Sequence, residues 1–106
     1  MISFDQFKTM EICVAKVISV EDHPNADKLY VVTVDTGSQT KKVVAGLKMH
    51  YSIEELSGKS VVFLNNLEPA VIRGVESEGM ILATKDQEKL AILIPEKEVS
   101  IGSPIS

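Results

Sequence analysis

Asn65–Met80, NNLEPAVIRGVESEGM, is polar and glycine-bearing, yet it sits between two aliphatic runs, Ser60–Leu64 before it and Met80–Ala83 overlapping its end. A loop of this kind between two buried strands is where a small β domain keeps its binding chemistry. Its place in the order of elements fixes the architecture of the chain.

Upstream, Ser3 and Gln6 have capping-box spacing, which predicts a short helix over Ser3–Thr9, with Phe4 and Phe7 on one side, plugging one end of a barrel. Glu11–Val20, EICVAKVISV, carries β-branched residues at both parities, as a long bent strand meeting two sheet faces would. Glu21–Lys28, EDHPNADK, breaks it, because Pro24 cannot join a ladder and Asn25 and Asp27 favour turns. Leu29–Asp35 reads as strand two, Thr36–Gln39 as a turn with Gly37 at positive φ, and Lys41–Leu47 as strand three. Ser52 and Glu55 form a second capping box on a segment long enough for one or two helical turns, ending before Gly58. Ser60–Leu64 is strand four, Met80–Thr84 strand five, and Lys89–Ile94 a sixth strand closed by Pro95.

Three strands, a short helix and two more strands is the order of the OB-fold, an all-β, five-stranded Greek-key barrel with its helix between strands three and four. The sixth strand is then a C-terminal extension, and residues 1–106 form a single domain. In this fold the loops after strands one and four, here Glu21–Lys28 and Asn66–Gly79, bind ligands together with the face of strands two and three.

Composition limits the function. The net charge is −4 and the isoelectric point about 5.1, which excludes nucleic-acid binding through a bulk positive field and leaves only placed contacts. Cys13 is the one cysteine, so neither an internal disulfide nor a cysteine zinc site is available. The N-terminus lacks a basic start followed by an apolar run, and no segment approaches a membrane span, so a cytoplasmic protein is expected, and the Met1 start favours a stand-alone chain.

Lys41, Lys42 and Lys48 lie close together, and Lys16, Lys28 and Arg73 stand beside polar loop residues. Lysine heads suit phosphates, and the Arg73 fork suits a phosphate or a base edge. Asn66 and Ser77 offer neutral donors and acceptors for ribose hydroxyls or base edges, Gly74 and Gly79 allow close backbone approach, and Met80 can lie under a base. Each has an ordinary structural reading as well: solvated surface for the lysines, backbone capping for Asn66 and Ser77, turns for the glycines, core filler for Met80. Tyr30 and Tyr51 are the only tyrosines, and with Phe4, Phe7 and Phe63 read as buried, stacking platforms for single strands are scarce. His23 reads as a loop cap rather than a base, Glu76 and Glu78 are weak evidence for magnesium, and no nucleophile constellation exists. A non-catalytic module without cofactor or metal is expected.

HPNADKL at His23–Leu29 and RGVESEGM at Arg73–Met80, with VDTG at Val34–Gly37, AGL at Ala45–Leu47 and ELSGK at Glu55–Lys59, closely resemble the tRNA-binding domain family. That family includes domains appended to methionyl-tRNA synthetases, stand-alone structure-specific tRNA-binding proteins, part of the phenylalanyl-tRNA synthetase β chain and EMAP II-like domains. The resemblance covers about Phe4–Ser106 and implies an OB-fold that recognises tRNA shape. It also implies a homodimer with residues 86–106 in the interface, and action beside an aminoacyl-tRNA synthetase such as the methionyl enzyme. By the same resemblance Lys16, Lys41, Lys42, Asn66, Arg73, Ser77 and Met80 fall on or near the binding face. The chain departs from the family pattern at Cys13 and Ala15 in strand one, at Ala45, and at Glu68, Ala70 and Val71, where basic residues are usual. Losing about three phosphate contacts lowers the salt slope of binding by roughly three units. A rival expectation follows: a protein-interaction, assembly or chaperone-like module that keeps the barrel and loses most RNA affinity.

Overall fold

The structure, a computed structural model, describes residues 1–106. Strand β1 (Ile12–Asp22) is its spine. Its first half, Ile12–Lys16, pairs antiparallel with β4 (Ser60–Leu64), and its second half, Lys16–Asp22, pairs with β2 (Tyr30–Asp35). The ladder slips between Val17 and Ser19, leaving Ile18 as a bulge. The bulge switches the inward parity: Ala15 and Val17 are buried before it, Val20 after it. The bulge accounts for Val17 and Val20; Val14, buried at the opposite parity before the bulge, lies where the C-terminal residues Gly102 and Ser103 bond to β1.

Strand β3 (Thr40–Ala45) pairs with β2, and the short β7 (Met80–Ile81) pairs with β4, giving the order β3-β2-β1-β4-β7. This is the expected all-β, nearly closed OB-like barrel. One apolar core fills it, with Val17, Val32, Val34, Val43, Val61 and Phe63 all essentially inaccessible to water. Helix α2 (Ile53–Leu56) lies between β3 and β4, starts at the Ser52–Glu55 capping box, and drops Leu56 into the core beside Leu47.

Helix α1 (Phe4–Lys8) has its Ser3–Gln6 capping box, but it does not plug the barrel. None of its residues is buried, and Phe4 is 70% exposed, its ring stacked on Phe7 and approached by the Lys8 ammonium. The cause is Asn66, whose amide donates to Thr9 O (2.8 Å) and accepts from Glu11 N–H (2.9 Å), fastening the chain before β1 at the barrel mouth and leaving α1 outside. Leu56 of α2 is the inward plug instead.

Strand five also differs from expectation. Val62 donates to Leu93 O and accepts from Leu82 N–H, so the β4 edge changes partner at Leu82. The run Met80–Thr84 is therefore split into β7 and β8 (Ala83–Lys85), and β8 forms a hairpin with the extension strand β9 (Leu90–Ile92). At the other edge of β1, where β2 does not reach, the C-terminus takes over. Val14 N–H donates to Ser103 O, Gly102 N–H to Val14 O and Ile105 N–H to Ile12 O.

Candidate nucleic-acid interface

The segment between β4 and β7 contains structure of its own. Ala70–Ile72 (β5) and Val75–Ser77 (β6) form a two-residue hairpin whose tip is Arg73-Gly74, at φ 53° and 89°. Two consecutive positive φ values are those of a type I′ turn, which suits the twist of the flanking strands. The signal was present in AVI-RG-VES, two β-prone triplets around a glycine. It was obscured because Arg stands where such a turn prefers Asn or Asp.

The hairpin is fastened at both ends. At its base, the Ser77 hydroxyl accepts from Val44 N–H (3.0 Å) and donates to Gly79 O (3.4 Å). The Glu78 carboxylate accepts from Lys42 N–H (3.1 Å), and Glu78 N–H donates to Lys42 O (2.9 Å). Ser77 and Glu78 thus supply, partly through side chains, the contacts that a further ladder would have made on the β3 edge, and so close the barrel. Gly79 follows because a Cβ there would stand 2.4 Å from the Phe63 ring and 2.8 Å from Leu64 O. Its close approach is to the core, not to a ligand.

At its tip the hairpin meets the loop Glu21–Lys28 through His23, which is only 5% exposed. Asn25 N–H donates to His23 Nδ1 (2.9 Å), so the ring proton sits on Nε2 and donates to Ile72 O (3.0 Å). Asn25 Nδ2 donates to Arg73 O, and Arg73 Nη2 donates to Asn25 O, both at 3.1 Å. These contacts turn two loops into one rim around a shallow groove of about 430 Å³ lined by Asn25, Ala26, Asp27, Lys28, Leu29 and Arg73. His23 caps its loop as expected; its bond to Ile72, 49 residues away, was not legible without the hairpin.

The residues singled out from sequence occupy three places. On the outward face of β1–β2–β3, opposite in parity to the buried Val17, Val34 and Val43, stand Lys16 and Lys42, both exposed. Arg73 is exposed at the rim beside the loop Glu21–Lys28. At the other end of β1, Lys41 Nζ donates to Asn65 O (2.7 Å), Asn66 fastens Thr9 and Glu11, and Met80, 43% exposed, pairs across from Leu64. Ser77 is buried with its hydroxyl engaged, and Lys48 forms an ion pair with Asp22 at 3.1 Å. No three His, Cys, Asp or Glu side chains gather as metal ligands, and no helix is long and apolar enough to cross a membrane.

Residues 12–104 match the family described as "Putative tRNA binding domain". The chain belongs to the tRNA-binding domain family. It is 54% identical over 104 residues to the methionine–tRNA ligase of Thermococcus kodakarensis and 51% to that of Pyrococcus furiosus. Each match covers 98% of this chain and 14% of the relative, so the domain spans a small part of those ligases. Among solved structures, the MetRS-related protein of Pyrococcus horikoshii superposes with a TM-score of 0.92 at 29% identity, covering 100% of this chain and 98% of that one. The CsaA chaperone protein of Picrophilus torridus superposes with a TM-score of 0.91 at 25% identity, each chain fully covered. The barrel is common to both; the sequence lies much nearer the ligase-borne domains.

Proposed function

We propose that this tRNA-binding domain is a non-catalytic module that binds folded tRNA by shape, presenting Lys16 and Lys42 on the outer face of β1–β3 and Arg73 at the rim. The observation that carries the reading is the rim itself. Arg73 is held at a hairpin tip in a backbone conformation uncommon for arginine, with its guanidinium exposed. A-form surfaces offer phosphates and 2′-hydroxyls, which a few placed donors recognise without stacking aromatics. Phe4, though exposed, belongs to α1 beside the start of β1, whereas the rim adjoins its end, and an 11-residue strand is roughly 35 Å long.

Asn66 and Ser77 act in this reading as positioning residues, since their polar atoms are engaged in holding the mouth and the hairpin. Lys41 shares that duty through Asn65, and Met80 supplies apolar surface. The module works beside an aminoacyl-tRNA synthetase of the methionyl type in the cytoplasm, raising the local concentration of tRNA. It acts as a homodimer through residues 86–106, where Leu93, Ile94, Val99, Ile101 and Ile105 leave apolar surface exposed. The chaperone-like alternative is not favoured, because identity to the ligase-borne domains is twice that to CsaA.

Binding of labelled folded tRNA to the wild-type protein and to Arg73→Asn tests the reading. Asn fits a positive-φ turn position and removes the charge. Weaker binding with an unchanged unfolding midpoint is expected; equal affinity removes Arg73 from the interface.

A further inference from the structure

The polar contacts between the loop Glu21–Lys28 and the hairpin converge on two residues, His23 and Asn25. Beyond Ser77 and Glu78 at its base, these contacts tie the hairpin tip down. The tip needs tying. Its backbone is left-handed at an arginine, and Val71, Glu76 and Gly74 around it are exposed, so little apolar burial holds it.

From this geometry we infer that His23 is a positioning residue for Arg73, joining the two loops through one ring whose nitrogens have opposite roles. Nδ1 accepts from Asn25 and fixes the loop's own turn; Nε2–H donates to Ile72 O and fixes the hairpin. Asn25, oriented by the first bond, then brackets Arg73 from both sides, its amide on the Arg73 carbonyl and its carbonyl under the guanidinium. The guanidinium is thereby held at the groove instead of sampling its rotamers in water, which lowers the ordering cost of meeting a phosphate. His23 touches no ligand in this scheme. The inference rests on the tRNA-binding reading of the rim.

The two nitrogens can be separated by substitution. His23→Gln places an amide donor near the Nε2 position, and His23→Asn places an acceptor near Nδ1. Amide hydrogen exchange of the free protein and affinity for folded tRNA are measured for the wild type, His23→Gln, His23→Asn, Arg73→Asn and the double variant His23→Asn/Arg73→Asn. Asn25→Ala, at an exposed position, is a second route should His23→Asn fail to fold. Expected for His23→Asn is exchange at Arg73, Gly74 and Val75 faster by about tenfold, with β1–β4 unchanged. Its tRNA affinity falls about threefold to tenfold, and this loss vanishes when Arg73 is already Asn, as coupled residues require. His23→Gln stays within about twofold of wild type, and Asn25→Ala follows His23→Asn. The inference is overturned by losses from His23→Asn and Arg73→Asn that multiply independently, or by unchanged affinity despite a loosened tip. A wild-type protein that does not bind tRNA overturns the reading of the rim and this inference together, a result distinct from either.

Discussion

Arg73 occupies a position that local turn chemistry assigns to Asn or Asp. Departures from local turn chemistry concentrate at functional or strained positions, which fits the role proposed for Arg73. Arg73→Asn creates an Asn-Gly tip, so thermal unfolding should be unchanged or slightly higher. Affinity for tRNA should drop about tenfold or more, since hydrogen bonds to a charged group contribute about 1.5–3 kcal/mol. Gly79 obeys the opposite logic. Gly79→Ala drives a methyl into the fully buried Phe63 ring and the Leu64 carbonyl, an overpacking expected to cost about 1–3 kcal/mol in denaturant unfolding. Cys13 is half-buried; desolvation, and secondarily the Glu11 carboxylate, raises its thiol above the ordinary range, while Lys41 lowers it. Its folded pKa exceeds its unfolded one, so it costs no stability below the unfolded pKa and erodes stability as pH rises toward the folded value. Alkylation at mildly alkaline pH should therefore be slower in the native protein than in urea. Individual residues were only partly legible in the sequence: Ser77 and Asn66 could be either ligands or caps, and their geometry, not their type, shows which contacts they make.

Among elements, the long bent strand, both capping boxes and the Gly37 turn followed from local patterns, because parity, spacing and φ preference act within a few residues. The hairpin β5–β6 and the break at Leu82 did not, because they depend on which distant edge accepts their hydrogen bonds: β3 through Ser77 and Glu78, and β4 through Val62. The position of α1 departs from the local pattern for the same reason, since Asn66, far away in sequence, fastens the chain at Thr9 and Glu11 where α1 leaves the barrel. The α2 capping box provides a pH test. Hydrogen bonds from the Ser52 backbone and side chain hold the Glu55 carboxyl below its ordinary value. A depressed folded pKa gives stability that is present above the unfolded pKa and is lost as pH falls through the folded value. Glu55→Gln should therefore flatten the acid limb of the stability profile, and Ser52→Ala should lower stability by about 1 kcal/mol at neutral pH.

Across the whole molecule, an acidic domain of net charge −4 is proposed to bind a polyanion. This is consistent only if binding depends on a few placed cations instead of an extended field, and in the proposed reading that part falls to Lys16 and Lys42, exposed on the outer face of β1–β3, and to Arg73, exposed at the rim. In the proposed homodimer, doubling the site would offset the small number of contacts per domain, because the second engagement becomes intramolecular. A dimer mass in sedimentation at micromolar concentration is expected, and a monomer would remove that part of the account. The central claim, shape recognition of tRNA by a few phosphate contacts, is tested most directly by titrating binding to folded tRNA against salt. The account predicts measurable affinity at low salt and a slope of log K on log salt of about −3 per domain, one unit for each of the three cations. No binding at low salt by a folded protein, or a slope near zero, would contradict it.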